Sequence, residues 1–254
     1  MFNLICPRNY NMDDFNYNTL SKKILCSLKV FSLDSSPGAV AFYDLGLIGY
    51  ENAYQIQTQL FELIKESGIS GVILMLEHKP VITIGNNRKR DNIIAGFDSL
   101  EEQGIELVQS NRGGDVTFHG PGQIVCYTIF NLKKFGSDLT TFVYNLEEVI
   151  ISVLSLYGVK GSRIDKLRGV FTEKGKIASV GLHVKKWVSI HGFSFNVSVN
   201  LDYYKNIIAC GLNDYPQTSL LEITGRNMPL AEVKNNIIES FKSVFGIKIC
   251  EIPV

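Results

Sequence analysis

Asn111-Arg-Gly-Gly-Asp-Val-Thr-Phe-His-Gly-Pro-Gly-Gln123 places four glycines and a proline within thirteen residues and leads directly into the β-rich run Ile124 to Phe130. Gly113 and Gly114 permit positive φ or the close approach of a ligand to the backbone. Arg112 supplies five N–H donors, and His119 stands between Phe118 and Gly120. Read alone, such a stretch is a surface turn, since Gly and Pro commonly punctuate loops. Its length speaks for more, because a hairpin needs only about two to five loop residues.

Upstream of this segment, Val72 to Leu76 and Val81 to Ile84 read as strands on either side of the turn-like His78-Lys79-Pro80. Glu51 to Glu66 carries Ala53, Ile56, Leu60, Leu63 and Ile64 at helical spacing. Downstream, Asp138 to Tyr157 is the clearest helix, with Ser137 as its expected cap and Gly158 at its end. Lys176 to Val184 and Phe193 to Val199 read as strands, and Leu230 to Phe245 as an amphipathic helix with Pro229 at its first turn and Gly246 behind it. Strands mixed with three substantial helices predict a mixed α/β (α+β) domain. GxGxxG and GxxxxGK[ST] are absent from the sequence, which disfavours Rossmann and P-loop enzymes.

In a chain of 254 residues, 25 Lys and Arg balance 25 Asp and Glu, so global charge gives no support to nucleic acid or an anionic membrane as main partner. A hydrophobic share of 45% with 20% charged residues excludes a disordered, collagen-like or disulfide-miniprotein chain. The best apolar run, Val149 to Leu156, is broken by Ser152 and Ser155 and suits an amphipathic helix rather than a membrane span. Cys6, Cys26, Cys126, Cys210 and Cys250 are odd in number and form no CxxC pair, which predicts free thiols in a reducing compartment. Residues 1–37, rich in Asn and Tyr and ending in Ser35-Ser36-Pro37-Gly38, read as a mobile or targeting extension dispensable for activity, with the domain at 38–254.

Two further residues invite chemistry. Cys210, followed by Gly211, ends the apolar run Ile207 to Ala209. A turn there can expose its sulfur, but a nucleophilic thiolate needs a base or a positive neighbour, and a cysteine is more commonly a small buried hydrophobe. Lys176 opens a strand whose Ala178, Ser179 and Gly181 leave room beside the chain. Its ammonium is either solvated surface or aimed into a pocket, where it can stabilise a thiolate and exchange a proton with an amine. His78, His183 and His191 lack HExxH-type spacing, so no metal is expected. Arg88-Lys89-Arg90, Lys133-Lys134 and Lys185-Lys186 read as solvated surface that could dock an acidic carrier protein if the patches converge.

From about Phe42 to Ile249 the chain resembles the lipoyl(octanoyl) transferases. The resemblance rests on Arg112 to Gln123, Gly175-Lys-Ile-Ala-Ser-Val-Gly181, His191-Gly-Phe-Ser-Phe-Asn196 and Ala209-Cys-Gly-Leu212. It implies the single catalytic domain of the biotin/lipoate protein ligase type, a mixed β-sheet flanked by helices. Cys210 would be the acyl-accepting nucleophile and Lys176 the residue that tunes it. Arg112, Gly113, Gly114, Asp115, Val116, Thr117, Phe118 and His119 would line the acyl pocket together with Ser179, Val180, Gly181, Gly192, Phe193 and Ser194. The family often has Pro before the cysteine, where this chain has Ala209.

The implied reaction carries an octanoyl group from octanoyl-acyl carrier protein, through a Cys210 thioester, to the target lysine of lipoyl domains in 2-oxoacid dehydrogenase E2 subunits and glycine cleavage H protein. It needs no cofactor, because thioester to amide is downhill. Backbone N–H groups near Cys210 are candidates to hold the oxyanion. The family works in the bacterial cytoplasm and in mitochondria or plastids, so the expected location is cytoplasmic, or the mitochondrial matrix or plastid if residues 1–37 are a transit peptide. Two rival readings are an ATP-dependent lipoate or biotin protein ligase of the same fold, which would not need a nucleophilic cysteine, and a non-catalytic module that binds carrier proteins.

Overall fold

Near-continuous apolar runs build the central strands, because both faces of the main sheet are buried there. In order along this computed structural model, which describes residues 17–34, 38–86, 90–212 and 214–253, the elements begin with α1 (Tyr17–Asp34), β1 (Val40–Ile48), α2 (Tyr50–Ser67), β2 (Gly71–His78) and β3 (Val81–Ile84). There follow α3 (Phe97–Glu102), β4 (Glu106–Gln109), β5 (Thr117–His119), β6 (Gln123–Phe130) and α4 (Leu139–Leu156). The chain continues through β7 (Ser162–Ile164), β8 (Leu167–Thr172), β9 (Gly175–Lys185), β10 (Val188–Asn196), α5 (Leu220–Thr224), α6 (Leu230–Phe245) and β11 (Ile249–Glu251).

Eight strands form the main sheet in the order β11-β1-β2-β6-β10-β9-β8-β7, and β4-β3-β5 form a second, smaller sheet. β1 runs parallel to β2 and β11, while β2–β6, β6–β10, β10–β9, β9–β8 and β8–β7 are antiparallel. On one face Val40, Phe42, Ile73, Met75, Ile124, Cys126, Phe193 and Phe195 pack under α4 and α6. On the other, Ala41, Tyr43, Leu45, Val72, Leu74, Leu76 and Ile129 pack under α1 and α2. The mixed α/β architecture is thus the expected one.

α4 is long and apolar enough, at a mean hydropathy of 1.4, to cross a membrane by length and composition alone. In the fold, Phe142, Leu146, Val149, Ile150 and Val153 are instead buried in the core. Glu147, on the same helix, is bonded to Arg163 and to the Gly169 N–H. Its cap is Asp138, whose carboxylate accepts the Thr140 N–H at 2.9 Å, not the expected Ser137. Ser137 has φ 53°, whereas a capping residue sits in the extended region.

The expected boundary at 37/38 needs correction. Residues 1–16 and 35–37 lie outside the described residues. Between them α1 carries Leu20, Ile24 and Leu28 at four-residue spacing, all buried among α2 and the sheet. The Ser27 hydroxyl also meets the Tyr43 hydroxyl at 2.9 Å. Residues 17–34 therefore belong to the folded body of the domain and are not a mobile extension.

Candidate active site

The trough that forms the site follows from side-chain size on one face of two strands. Ser179 pairs with Ser194, and Gly181 with Gly192, across β9 and β10. Val125 and Tyr127 continue these two rows onto β6. On the opposite face Phe193 and Phe195 fill the core beneath α4 and α6. Small residues on one side and bulky ones on the other leave a channel along the sheet, two residues or about 6–7 Å from row to row.

The roof comes from the Arg112–His119 segment, held down by a backbone bond from the Gly113 N–H to the Leu182 carbonyl at 2.8 Å. A Cβ on Gly181 would lie 2.8 Å from the Gly113 carbonyl oxygen, so only glycine lets the roof sit this close. In β5, Thr117 and His119 face the pocket, whereas Val116 and Phe118 alternate away from it into the core of the small sheet. Phe118 stacks on Tyr203 at 4.7 Å between ring centroids. The expected pocket side chains of Val116 and Phe118 are thus corrected to core, although the Val116 carbonyl accepts the Cys210 N–H at 2.8 Å.

The cleft is partly open, and together with the solvent at its mouth it spans about 480 Å³. Arg112, Gly113, Gly114, Asp115, Thr117, His119, Ser179, Val180, Gly181, Gly192, Phe193, Ser194 and Cys210 line it, joined by Tyr50, Val125, Tyr127 and His191. Arg112 is buried; its Nε and Nη2 donate to Thr83 and its Nη1 to the Gly113 carbonyl. Burial pushes its pKa down, yet a guanidinium keeps its charge in protein interiors.

At one end of the cleft the Lys176 ammonium donates to Cys210 Sγ at 3.3 Å. Lys176 is only 2% exposed, and this is the one hydrogen bond its ammonium makes among the described residues. It also lies 5.5 Å from the centroid of the Phe171 ring. Cys210 adopts φ 57°, a left-handed conformation that is strained in a residue with a Cβ. The turn is held by bonds from the Gly211 N–H to Ile208 and from the Leu212 N–H to Ala209. The N–H groups of residues 210, 211 and 212 are all engaged in these bonds, so a backbone donor for an oxyanion has to come from another part of the cleft wall.

Asn92 braces this turn and was invisible in the sequence. Its carbonyl accepts the Ile208 N–H at 2.8 Å, and its side chain donates to Asp115 Oδ2 at 2.6 Å. Asp115 is thereby tied beside the cysteine turn, its other oxygen accepting the Val116 N–H.

The other end is lined by the rings of Tyr50, His119, Tyr127 and His191, with His78 packed behind them, and most of their polar atoms are paired. His78 Nδ1 donates to the Ile48 carbonyl at 3.0 Å, which leaves Nε2 to accept the Tyr127 hydroxyl at 2.7 Å. His119 Nδ1 donates to Gln123 Oε1 at 2.6 Å, and His191 Nε2 to Asn111 Oδ1 at 2.6 Å. Burial pulls His78 down to about 4 and His191 to about 3, and it lowers His119 well below its ordinary value. Neutral rings with satisfied heteroatoms present carbon surface, which suits an alkyl chain. His78 and His191 looked weak in the sequence because only metal spacing was sought. His191 in fact opens one of the four signature blocks, and Tyr50 carried no local signal at all.

Among the other described cysteines, Cys126 is fully buried and burial pushes its thiol up, while Cys26 and Cys250 are free thiols outside the cleft. Of the basic patches, Lys133-Lys134 and Lys185-Lys186 do meet, through a bond from the Leu132 N–H to the Trp187 carbonyl. They lie at the far end of β9 from Lys176, so that patch does not flank the cysteine. Arg88 and Lys89 fall outside the described residues.

Residues 49–242 match the family described as the lipoyl protein ligase A/B catalytic domain. An octanoyltransferase of Koribacter versatilis is 42% identical over 207 residues, covering 80% of this chain and 82% of that protein. One of Thermoanaerobacter sp. is 41% identical over 211 residues, covering 83% and 92%. The chain belongs to the octanoyltransferases of the lipoyl protein ligase A/B catalytic-domain family. It is therefore an acyltransferase by family. Among solved structures it is similar to a lipoate-protein ligase A bound with ATP, with a TM-score of 0.68 at 15% identity, covering 86% of this chain and 90% of that one. It is also similar to a bipartite lipoate protein ligase from Thermoplasma acidophilum, described with its E2 lipoyl domain, with a TM-score of 0.67 at 17% identity, covering 85% and 87%. At such identities these two establish the shared fold of the family.

Proposed function

We propose that this octanoyltransferase takes its acyl group from octanoyl-acyl carrier protein and passes it, through a thioester on Cys210, to the target lysine of lipoyl domains. The observation that carries the reading is the Lys176–Cys210 pair at 3.3 Å, set at the end of a cleft lined by ring carbon. An ammonium at that distance favours the thiolate, which is the nucleophile. The thiolate attacks the thioester carbonyl carbon, the bond to the carrier's thiol breaks, and that sulfur leaves with a proton from the Lys176 ammonium, which becomes a neutral amine.

In the second half the target lysine, as a neutral amine, attacks the acyl-Cys210 carbonyl. A C–N bond forms, the C–S bond breaks, and the Cys210 thiolate returns beside Lys176. With the N–H groups of residues 210–212 occupied, the Lys176 ammonium is a donor at hand for the oxyanion of the first half; left neutral by that half, its amine accepts the proton the attacking lysine loses and returns to the ammonium. Lipoyl domains as acceptors agree with the octanoyltransferase relatives and with the E2 lipoyl domain described alongside the archaeal neighbour.

Intact-protein mass spectrometry after mixing with octanoyl-carrier protein tests the reading. The expected result is one octanoyl adduct, labile to hydroxylamine and mapped to Cys210. An adduct on Cys126, or transfer only with free octanoate and ATP and no adduct, would overturn it in favour of another cysteine or of a ligase.

A further inference from the structure

Tyr50 lines two separate spaces. One is the cleft that ends at Cys210; the other is an open depression of about 600 Å³ with Glu51, Asn86, Gln109 and Asn111 in its walls. Tyr50 is 3% exposed and therefore stands between the two as a partition. Its hydroxyl donates to Ser110 Oγ at 2.8 Å, and Ser110 is itself fixed by accepting the Arg112 N–H and by bonding its own N–H to the Ile84 carbonyl. The Tyr50 ring also lies 5.3 Å from that of His78, at the end of the cleft remote from Lys176.

We propose that the Tyr50 ring, pinned by Ser110, is the wall that stops the acyl chain and sets the longest chain this enzyme accepts. The inference rests on the proposed acyl-cysteine reading and deepens it. A chain lying in the trough from Cys210 past Ser179 and Gly181 runs toward Tyr127, His191 and then Tyr50. Beyond Tyr50 the walls are mixed, Glu51, Asn86, Gln109 and Asn111 beside Tyr54 and Val108, so a longer chain reaches that space only if the ring moves, and moving the ring breaks a buried hydrogen bond.

The test measures Cys210 acylation by intact mass, using N-acetylcysteamine thioesters from hexanoyl to tetradecanoyl. Tyr50→Ala is expected to raise the dodecanoyl rate relative to octanoyl by about tenfold or more, the scale at which a pocket discriminates by chain length. Tyr50→Phe frees the ring by removing that bond alone, and Ser110→Ala removes it together with the one from the Arg112 N–H. Each should shift the length profile in the same direction by a smaller factor, and adding Tyr50→Phe to Ser110→Ala should shift it no further. These two also decide the matter if Tyr50→Ala does not fold. A wild-type enzyme that accepts no thioester would defeat the acyl-cysteine reading itself. A wild-type enzyme that is acylated, with variants whose length profiles superimpose on it, would overturn the wall alone.

Discussion

Replacing Lys176 by methionine removes one charge and leaves a side chain of similar length in the slot beside Phe171. With the ammonium 3.3 Å from the sulfur, its attraction for a thiolate is about 1.3 kcal/mol at the dielectric constant of water and about 5 kcal/mol at an effective value near 20. Lys176 is buried but Cys210 is only half-buried at the end of the cleft. Water screening therefore keeps the effective figure at about 1–3 kcal/mol. Iodoacetamide alkylation of Cys210 at neutral pH should slow in Lys176→Met by the corresponding factor, about 5- to 150-fold. Lys176→Arg keeps the positive charge, so alkylation should stay much nearer wild type, while octanoyl transfer to the amine is lost because a guanidinium does not give up its proton. Equal alkylation rates in wild type and both variants would refute the argument, leaving Lys176 only the proton transfer to the incoming amine.

Two other expectations concern stability. Leu28→Ala, in the buried face of α1, should cost about 2–5 kcal/mol in urea unfolding, and a chain starting at residue 38 should lose more; an unchanged midpoint would mean that α1 does not pack as described. His78, His119 and His191 are neutral in the folded protein, with pKa values of about 4, well below ordinary, and about 3. Unfolding returns them to about 6.5, so below that pH the unfolded chain binds more protons: their contribution is complete above pH ~6.5 and is lost as pH falls toward the folded values, at up to about 1.4 kcal/mol per unit for each ring. Urea unfolding free energies that stay flat from pH 7 to 5 would contradict this.

The helices α2, α4 and α6 were legible because each repeats its apolar residues at helical spacing over four turns or more. α1 was not, because the Asn- and Tyr-rich residues before it coloured the whole segment, although Leu20, Ile24 and Leu28 already held the pattern. Val72–Leu76 and Val81–Ile84 were both recognised as strands, yet β2 and β3 part into different sheets. β2 has β1 and β6 on its two edges, so β3 finds partners only in β4 and β5. Cys210 and Lys176 are 34 residues apart, and each taken alone is ordinary; what joined them before the structure was family resemblance. Val116 and Phe118 were misplaced for a simpler reason. A signature block names consecutive residues, whereas a strand shows a pocket only every second one.

Cys210 and Lys176 also belong to different parts of the fold. Lys176 is on β9 of the main sheet. Cys210 hangs from the small-sheet side, by its N–H on Val116 and by the Ile208 N–H on Asn92, and the neighbouring Ile207 bridges to Ile93. The distance between ammonium and sulfur is therefore a measure of how the roof seats on the trough. That seating depends on the Gly113–Leu182 bond and on the missing Cβ at Gly181. The left-handed turn at Cys210 costs about 1–2 kcal/mol, offset by the three backbone hydrogen bonds that residues 210–212 make in it. The same bonds that hold the sulfur toward Lys176 occupy the N–H groups of residues 210–212. On the proposed reading, one buried lysine then supplies both the charge beside the thiolate and a hydrogen bond to the oxyanion.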